Sequence, residues 1–303
     1  MVIRAVVVGG TSGIGYAMAC RVAATLPATS TVLISGRTKP ANLPHANMEF
    51  RALDATSMRQ IQSYTSTLKS PGSLQARLDY LIMTQGIMST APRTETPGEG
   101  IDRKMALHYY GKQLLIRELL PILSPSAKII IVYDGWLGSP DKLLWEDLDL
   151  KHNYGLKKAA DHCTTMNDAM VQYWAKTAQV QAQAELDTSS TPTPVVAEKR
   201  HFIHAYPGGV NTNILRDVVP SYLQGVVKAL GNVLITSPEK CAERLLTGAE
   251  QRAKEGREEG RFWSNIGNKG ELLKGKAVWT EEQLARVVEH TWALVDGALA
   301  AKG

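Results

Sequence analysis

Cysteine and long apolar runs are both scarce in this sequence. Its 303 residues include three cysteines, Cys20, Cys163 and Cys241, whose wide spacing fits neither a disulfide framework nor a zinc site. No run of about 18 apolar residues is present, so no membrane span is predicted. Arg4 and the glycines after it interrupt the first apolar run, and we expect no signal peptide. A cytoplasmic protein with reduced thiols and no bound metal is therefore expected.

Clusters of charge of one sign are also missing. The formal net charge is +5 and the pI is about 9.0, and the lysines and arginines are scattered along the chain. This distribution argues against a nucleic-acid partner, and the mild positive charge suits an anionic cofactor. Apolar residues make up 44% and charged residues 21% of the chain, which is enough for the core of one large domain.

Apolar segments and amphipathic segments alternate along the chain. Strands are predicted at Val2–Val8, Thr31–Ser35, Met48–Leu53, Leu78–Met83, Lys128–Tyr133 and His201–Tyr206. Helices are predicted at about Tyr16–Thr25, Ser57–Leu68, Ile101–Leu120, Tyr154–Ala184 and Thr280–Ala301, and amphipathic segments at Val218–Leu230 and Pro238–Ala249. Thr280 and Gln283 have the spacing of a capping box, whereas Asp187–Arg200 is predicted to be a surface loop. The alternation favours a single α/β domain over residues 1–303, with a doubly wound parallel sheet and helices on both faces.

A glycine-rich turn follows directly on the first predicted strand. A buried strand, a turn and a helix N-terminus together place backbone N–H groups where a pyrophosphate can bind. Gly9 is expected to form the tight turn, Gly13 to admit the phosphate and Gly15 to let the helix pack closely on the strand. The residues predicted to bind the cofactor here are Gly9, Thr11, Ser12, Gly13, Ile14 and Gly15. A turn that binds nothing is the alternative.

Residues at the ends of the next two strands indicate which dinucleotide binds. Arg37 lies about 20 residues after the glycine turn, where an acidic residue would bind the ribose of NAD. Its guanidinium instead suits the 2′-phosphate of NADP, so NADP(H) is the expected cofactor, with a solvated loop arginine as the alternative. Asp54 closes the third strand and either accepts a hydrogen bond from adenine or forms an ordinary turn.

Tyr154 and Lys158 are the strongest candidates for chemistry. They lie four residues apart, so on a helix they share one face. A phenol beside an ammonium and an oxidised nicotinamide has a lowered pKa, which suits Tyr154 to act as general acid or base. Lys158 is expected to hold the nicotinamide ribose as well. A tyrosine and a lysine at this spacing also occur by chance. The position of this pair after the fifth strand favours the catalytic interpretation.

The chain resembles the short-chain dehydrogenase/reductase family. Three motifs carry the resemblance, namely VGGTSGIG, Tyr154-Gly155-Leu156-Lys157-Lys158 and Pro207-Gly208-Gly209-Val210-Asn211-Thr212. The resemblance implies a Rossmann-type domain with a seven-stranded parallel sheet, in which Pro207, Gly208, Val210 and Thr212 hold the nicotinamide and phosphates. It also implies that the segment from Asn213 to about Ser237 covers the substrate, and a substrate-lid region is expected at residues 218–250. The insertion Trp145-Glu146-Asp147-Leu148 is closest to retinol-dehydrogenase-like and fungal members.

The chain departs from the family's pattern at three places. Gln85 and Gly86 belong to the motif after the fourth strand, which differs from the usual motif of the family. Its glycine, Gly86, is kept and leaves room for the adenosine ribose. His108 aligns with the catalytic asparagine; it either holds a water and titrates near about pH 6.5 or merely packs under the sheet. Asp134 aligns with the serine that orients the substrate, and it fits that role only if it is protonated or faces a cationic substrate. Tyr133 and Ser139 are the other candidates for this role.

These features predict an NADP(H)-dependent oxidoreductase of ketoreductase type, which interconverts a carbonyl and an alcohol on an apolar small molecule. The departures leave two alternatives open. One is a cofactor-binding protein without turnover. The other is an enzyme that acts on an imine or catalyses a rearrangement, with Asp134 paired to a cationic nitrogen. The family often forms homodimers through the helices around Leu107–Leu120 and Tyr154–Trp174, so a homodimer is one expectation.

Overall fold

The structure is a computed structural model that describes residues 2–69, 77–188, 199–210 and 236–301. Seven strands lie in the described part of the chain: β1 (Val2–Val8), β2 (Ser30–Gly36), β3 (Met48–Ala52), β4 (Leu78–Met83), β5 (Leu123–Val132), β6 (His201–Ala205) and β7 (Trp263–Ile266). They form one parallel sheet in the order β3-β2-β1-β4-β5-β6-β7. The predicted doubly wound parallel sheet is confirmed, and its seventh strand begins at Trp263.

Six longer helical segments connect or flank the strands. They are α1 (Gly13–Thr25), α2 (Met58–Leu68), α3, α4 (Leu156–Thr188), α5 (Pro238–Glu259) and α6 (Glu281–Ala300). Helix α3 joins three consecutive pieces, Arg103–Met105, the π-helical turn Ala106–Tyr110 and Gly111–Leu119. Thr280 and Gln283 form the predicted capping box at the start of α6. None of the helices in the described residues is long and apolar enough to cross a membrane.

The sheet separates two apolar cores because successive side chains of a strand point to opposite faces. Ile129 and Ile131 of β5 enter the core that α2, α3, α4 and α6 cover, whereas Ile130 and Val132 enter the core under α1 and α5. Continuous apolar strands are what burial on both faces requires. Helices therefore cover both faces, as the alternation in the sequence predicts.

The assignment of residues 218–250 to a lid is wrong for its described part. Cys241, Leu245 and Ala249 of α5 are buried in the second core, where the helix packs beside α1. A helix that seals one face of the sheet cannot open over a substrate. The predicted segment Val218–Leu230 lies outside the described residues, as does most of the predicted loop Asp187–Arg200, of which α4 occupies the start.

Helix α4 begins at Leu156, so Tyr154 precedes it rather than lying on it. The reason is the turn before the helix. The buried Asp147 carboxylate accepts hydrogen bonds from the backbone N–H groups of Lys151 and Asn153, both at 2.8 Å, and of His152 at 3.2 Å. These bonds favour a closed turn over a further helical turn, and Tyr154 lies in the connection between this turn and α4.

Candidate cofactor and active site

The glycine-rich turn has the close packing that the sequence predicts. Gly9 has a φ of +80°, and a Cβ built on it would lie 2.5 Å from the backbone N of Gln85. A Cβ on Gly15 would overlap the Gly9 carbonyl and the Thr84 hydroxyl. Both positions therefore exclude any side chain, because turn, helix and strand end are in direct contact. This is the cradle that a pyrophosphate needs in order to approach the backbone.

The N-terminus of α1 is open to an anion. The side chain of Ser12, its N-cap residue, makes no capping hydrogen bond, and the first turn of the helix contains no acidic residue. The first N–H groups of a helix have no partner within the helix, and the helix dipole adds partial positive charge there. Gly13 has a positive φ of 54°, and Ile14 packs against the core under α1.

Arg37 lies next to this cradle. Gly9 N donates to Ser35 O at 2.8 Å, and a Cβ on Gly36 would lie 2.7 Å from Thr11 Oγ1. Arg37 follows directly, and its exposed guanidinium forms no hydrogen bond or ion pair with any residue that the structure describes. A free guanidinium beside a phosphate cradle is suited to a further phosphate.

Gln85 is buried at the end of β4, only 7% exposed, and neither its Oε1 nor its Nε2 has a hydrogen-bond partner among the described residues. Leaving a buried polar group unpaired costs about 1–3 kcal/mol. A polar ligand or water in the crevice between β1 and β4 would remove that cost. This orphaned amide, the glycine cradle and the free Arg37 together fit a dinucleotide.

The Asp54 carboxylate accepts hydrogen bonds from the turn in which it lies. Its Oδ1 accepts hydrogen bonds from Thr56 N at 3.0 Å and from Thr56 Oγ1 at 2.8 Å. These contacts support the turn-forming alternative that the sequence left open. A contact with adenine would have to use the second carboxylate oxygen.

Pro207, Gly208 and Val210 follow β6 at the same edge of the sheet, while Thr212 lies outside the described residues. Thr236 N donates to the Gly209 carbonyl at 3.1 Å, and Val210 is buried. This loop is therefore held against the segment that leads into α5, next to the strand ends where the predicted nicotinamide contacts belong.

The structure does not bring Tyr154 and Lys158 together. The Tyr154 hydroxyl donates to Asp102 Oδ1 at 3.4 Å, and the Lys104 ammonium lies 5.4 Å from the Tyr154 ring centroid. Lys158 is exposed and forms no hydrogen bond or ion pair within the described chain. Burial, together with the Asp102 carboxylate, raises the pKa of Tyr154. The lowering of this pKa that the sequence predicts beside Lys158 and an oxidised nicotinamide stays a prediction. The catalytic role of the pair stays a prediction.

His108 fastens the loop after β4. Its Nε2 accepts a hydrogen bond from Ile87 N at 2.9 Å, and a Cβ on Gly86 would lie 3.1 Å from the same nitrogen. Burial, helped by the Lys112 charge, lowers the pKa of His108 to about 3. The predicted titration at about pH 6.5 is therefore wrong, because the ring stays neutral there. The His108 carbonyl accepts from Asn167 Nδ2 at 3.0 Å, which ties α3 to α4.

Asp134 and Ser139 both serve the loop that leaves β5. Asp134 Oδ1 accepts from the backbone N–H groups of Trp136 and Leu137 at 3.1 and 3.3 Å. The Ser139 hydroxyl donates to Asp141, as expected of a turn serine. Both contacts lie within this loop, and a role of Asp134 in orienting the substrate stays a prediction.

Sequence patterns missed two features near this site. Lys112 is fully buried under the end of β5, where its Nζ donates to Val132 O at 3.0 Å. Asp168 of α4 is also buried and bonds His204 Nδ1 and Asn265 Nδ2, each at 2.5 Å. A charged residue inside an apolar helical stretch is the one signal that marks both positions. Among the described residues, no group of three or more histidine, cysteine or acidic side chains is placed to hold a metal.

Comparisons with known proteins agree with this geometry. The short chain dehydrogenase family profile matches residues 4–133. Oxidoreductase AN1596 of Emericella nidulans is 33% identical over 230 residues, which cover 72% of this chain and 62% of that protein. Oxidoreductase andH of Emericella variicolor is 26% identical over 224 residues, covering 70% and 59%. The chain thus matches less than two thirds of the length of these curated relatives.

Solved structures share the fold. A short chain dehydrogenase family protein from Francisella tularensis superposes with a TM-score of 0.56 at 16% identity, over 88% of this chain and 98% of that one. The NADPH-bound carbonyl reductase from chicken fatty liver gives a TM-score of 0.55 at 15% identity, over 90% and 98%. At such identities the likeness extends to the fold alone.

Proposed function

Because the chain belongs to the short-chain dehydrogenase/reductase family, we propose that it is an NADP(H)-dependent oxidoreductase that interconverts a carbonyl and an alcohol on an apolar small molecule. The observation that carries this proposal is the free guanidinium of Arg37 beside the glycine cradle. An arginine in that position favours a cofactor with a 2′-phosphate.

Different residues at the strand ends would bind different parts of the cofactor. The cradle from Gly9 to Gly15 and the N-terminus of α1 would hold the pyrophosphate, and Arg37 the 2′-phosphate. Gln85 would pair its orphaned amide with the ribose side of the cofactor, and the loop from Pro207 would flank the nicotinamide. When bound, the reduced cofactor supplies a hydride.

Exposed apolar side chains beside this crevice support an apolar substrate. Trp136 and Leu137, directly after β5, are 54% and 53% exposed, and Met88, after β4, is 49% exposed. The Trp136 ring meets that of Tyr206, which follows β6, edge to face at 5.9 Å. Large exposed apolar residues at the mouth of a crevice are typical of a small-molecule site.

One observation favours a second function, that of a cofactor-binding protein without turnover. Tyr154 bonds Asp102 and Lys158 faces solvent, so the pair on which the resemblance bases catalysis is not assembled. The imine alternative has less support, because the carboxylate of Asp134 already accepts two backbone hydrogen bonds.

Cofactor titration followed by a substrate screen tests these functions. Binding of NADPH and NADH is measured by calorimetry, and NADPH oxidation is then followed with apolar ketones, aldehydes and cyclic imines. We expect tighter binding of NADPH and turnover of a ketone or aldehyde. Equal affinity for the two cofactors would overturn the NADP assignment. Tight NADPH binding without turnover of any compound would favour the binding protein, and turnover of imines alone would favour the other alternative.

A further inference from the structure

Helix α3 is enclosed by the chain itself. Every residue from Ile101 to Leu120 is buried or half-buried, and so is every residue of α4 from Asp161 to Ala175. These stretches overlap the ones through which the sequence predicts a homodimer. A stable contact between two copies needs about 800 Å² of exposed surface on each of them. On α3 and on most of α4, that surface is already covered within one chain.

Helix α6 is the cover. It begins beside α4, where Glu281 Oε1 lies 2.5 Å from Lys176 Nζ, and it ends beside α2, where Arg59 Nη2 donates to the Ala301 carbonyl at 2.7 Å. One stripe of α6 is buried, with members three or four residues apart, namely Val287, Thr291, Val295 and Ala298. The helix therefore crosses α3 on its way from α4 to α2.

Trp292 anchors α6 to both α3 and α4. Its ring centroid lies 4.3 Å from the Arg117 guanidinium of α3 and 5.9 Å from the centroid of the Trp174 ring of α4. Arg117 Nη2 also donates to Asp296 Oδ1 of α6 at 2.7 Å. Aromatic rings and arginines are the residues that carry most of the binding energy in contacts between proteins. Here one chain supplies both sides of such a contact.

The same helix supports the π-helical turn of α3. The Thr291 hydroxyl donates to the backbone of its own helix at 2.6 Å, so the buried Tyr109 hydroxyl donates to Thr291 Oγ1, at 2.7 Å. One residue further along each helix, the Tyr110 hydroxyl lies 3.0 Å from His290 Nε2. This turn carries His108, which fastens the loop after β4. Helix α6 thus stabilises the candidate site from outside.

We propose that α6 takes, within the same chain, the place of a second copy on α3 and α4, so that the protein works as a monomer. The helix covers the face of α3 and α4 and supports the turn that carries His108. A helix of the same chain reaches this face at a high effective concentration, whereas a second copy would lose translational and rotational freedom on binding. The covering helix is therefore favoured over a second copy.

The mass of the wild type and a cross-link within it test the inference. Sedimentation equilibrium over a wide range of protein concentration should give the mass of one chain, 33.1 kDa. A carbodiimide, which joins an ion-paired lysine and carboxylate as an amide, should then couple Lys176 to Glu281 within that species. The pair of Lys157 and Asp161 inside α4 is the internal control, and Glu281→Gln should remove only the first link.

Two results would overturn the inference. One is a mass of two chains for the wild type. The other is coupling of Lys157 to Asp161 without coupling of Lys176 to Glu281, because α6 would then not lie on α4. Neither measurement needs substrate or cofactor, so the result is independent of the proposed function.

Thr291→Val tests the support of the π-helical turn. Valine keeps the shape of the side chain but leaves the buried Tyr109 hydroxyl without its partner, so hydrogen exchange of the amides at residues 106–110 should become at least about 5-fold faster relative to those of β4. Thr25→Val, which removes a hydroxyl that bonds Val22 O within α1, is the matched control. If the turn exchanges equally in the two variants, α6 does not support it and this part of the inference is wrong.

Discussion

Asp168 and Lys276 form a buried ion pair, with Asp168 Oδ2 2.5 Å from Lys276 Nζ and side chains that are only 3% and 8% exposed. Lys276 Nζ also donates to the carbonyls of Trp136 and Gly138, at 3.2 and 3.1 Å. The pair thus connects α4 and the segment after β7 to the loop that carries Trp136. In this way a charge in the interior positions an apolar residue at the mouth of the candidate site.

The first prediction concerns this pair. Lys276→Met leaves the Asp168 carboxylate buried without its counter-charge, so we expect the free energy of unfolding to fall by about 3–5 kcal/mol. Urea denaturation measures the change. Glu243→Gln, which removes the exposed pair of Glu243 with Arg21, is the control and should cost less than about 1 kcal/mol. Equal effects of the two substitutions would show that the buried pair has no special role.

The second prediction concerns cofactor choice. Arg37→Asp replaces the free guanidinium with a negative charge, so NADPH binding should weaken by about 2–3 kcal/mol while NADH binding changes little. Calorimetric titration of both cofactors measures it. Arg257→Asp makes the same charge change at the end of α5, near the amino end of β6, and should leave both affinities unaltered. If the affinities for NADPH and NADH fall equally, Arg37 does not bind the 2′-phosphate.

The third prediction concerns the glycine cradle. Gly15→Ala introduces a Cβ into the Gly9 carbonyl and the Thr84 hydroxyl, and the backbone shift should cost about 1–3 kcal/mol of stability and abolish cofactor binding. Gly297→Ala in α6 is the matched control, because no atom lies within 4 Å of its added Cβ. That helical alanine should raise stability by roughly 0.5–1 kcal/mol. Normal NADPH affinity in Gly15→Ala would contradict the cradle.

The fourth prediction concerns acid sensitivity. Burial lowers the pKa of both His108 and His201 to about 3, whereas the unfolded chain takes up these protons at about pH 6.5. The unfolded state thus binds more protons between these values, and stability should fall as pH drops from about 6.5 toward 3. The slope approaches about 1.4 kcal/mol per pH unit for each histidine. Urea midpoints from pH 7 to 4 check it; His108→Gln should lower the slope, and an unchanged slope would mean that this ring is protonated in the folded state.

Much of the fold was predictable because it depends on local pattern. Apolar β-branched runs and the alternation of strands with helices indicated the parallel sheet, and the strand Leu78–Met83 was predicted with its observed bounds. The capping box at Thr280 is local as well, since both partners lie within one helical turn. Strand β7 was not among the strands predicted from the pattern, because its four residues carry too little pattern to stand out.

The candidate site was predicted less completely. The cradle was found because the chemistry of a glycine turn lies within seven consecutive residues, Gly9 to Gly15. Tyr154 was placed on a helix because spacing alone does not show that Asp147 closes a turn just before it. Lys112 and Tyr133 were not paired, because they come from a helix and a strand end that meet only when the sheet is covered.

By itself the sequence determined the order of strands and helices, the glycine cradle and the arginine beside it, since each depends on residues close together in the chain. Only the tertiary structure decided which side chains share the interior. Packing turned Tyr154 toward Asp102, brought the Tyr133 ring against that of His108 and joined Asp168 to Lys276. These contacts depend on how the helices pack on the twisted sheet. The spacing of residues along the chain does not show which side chains this packing brings together.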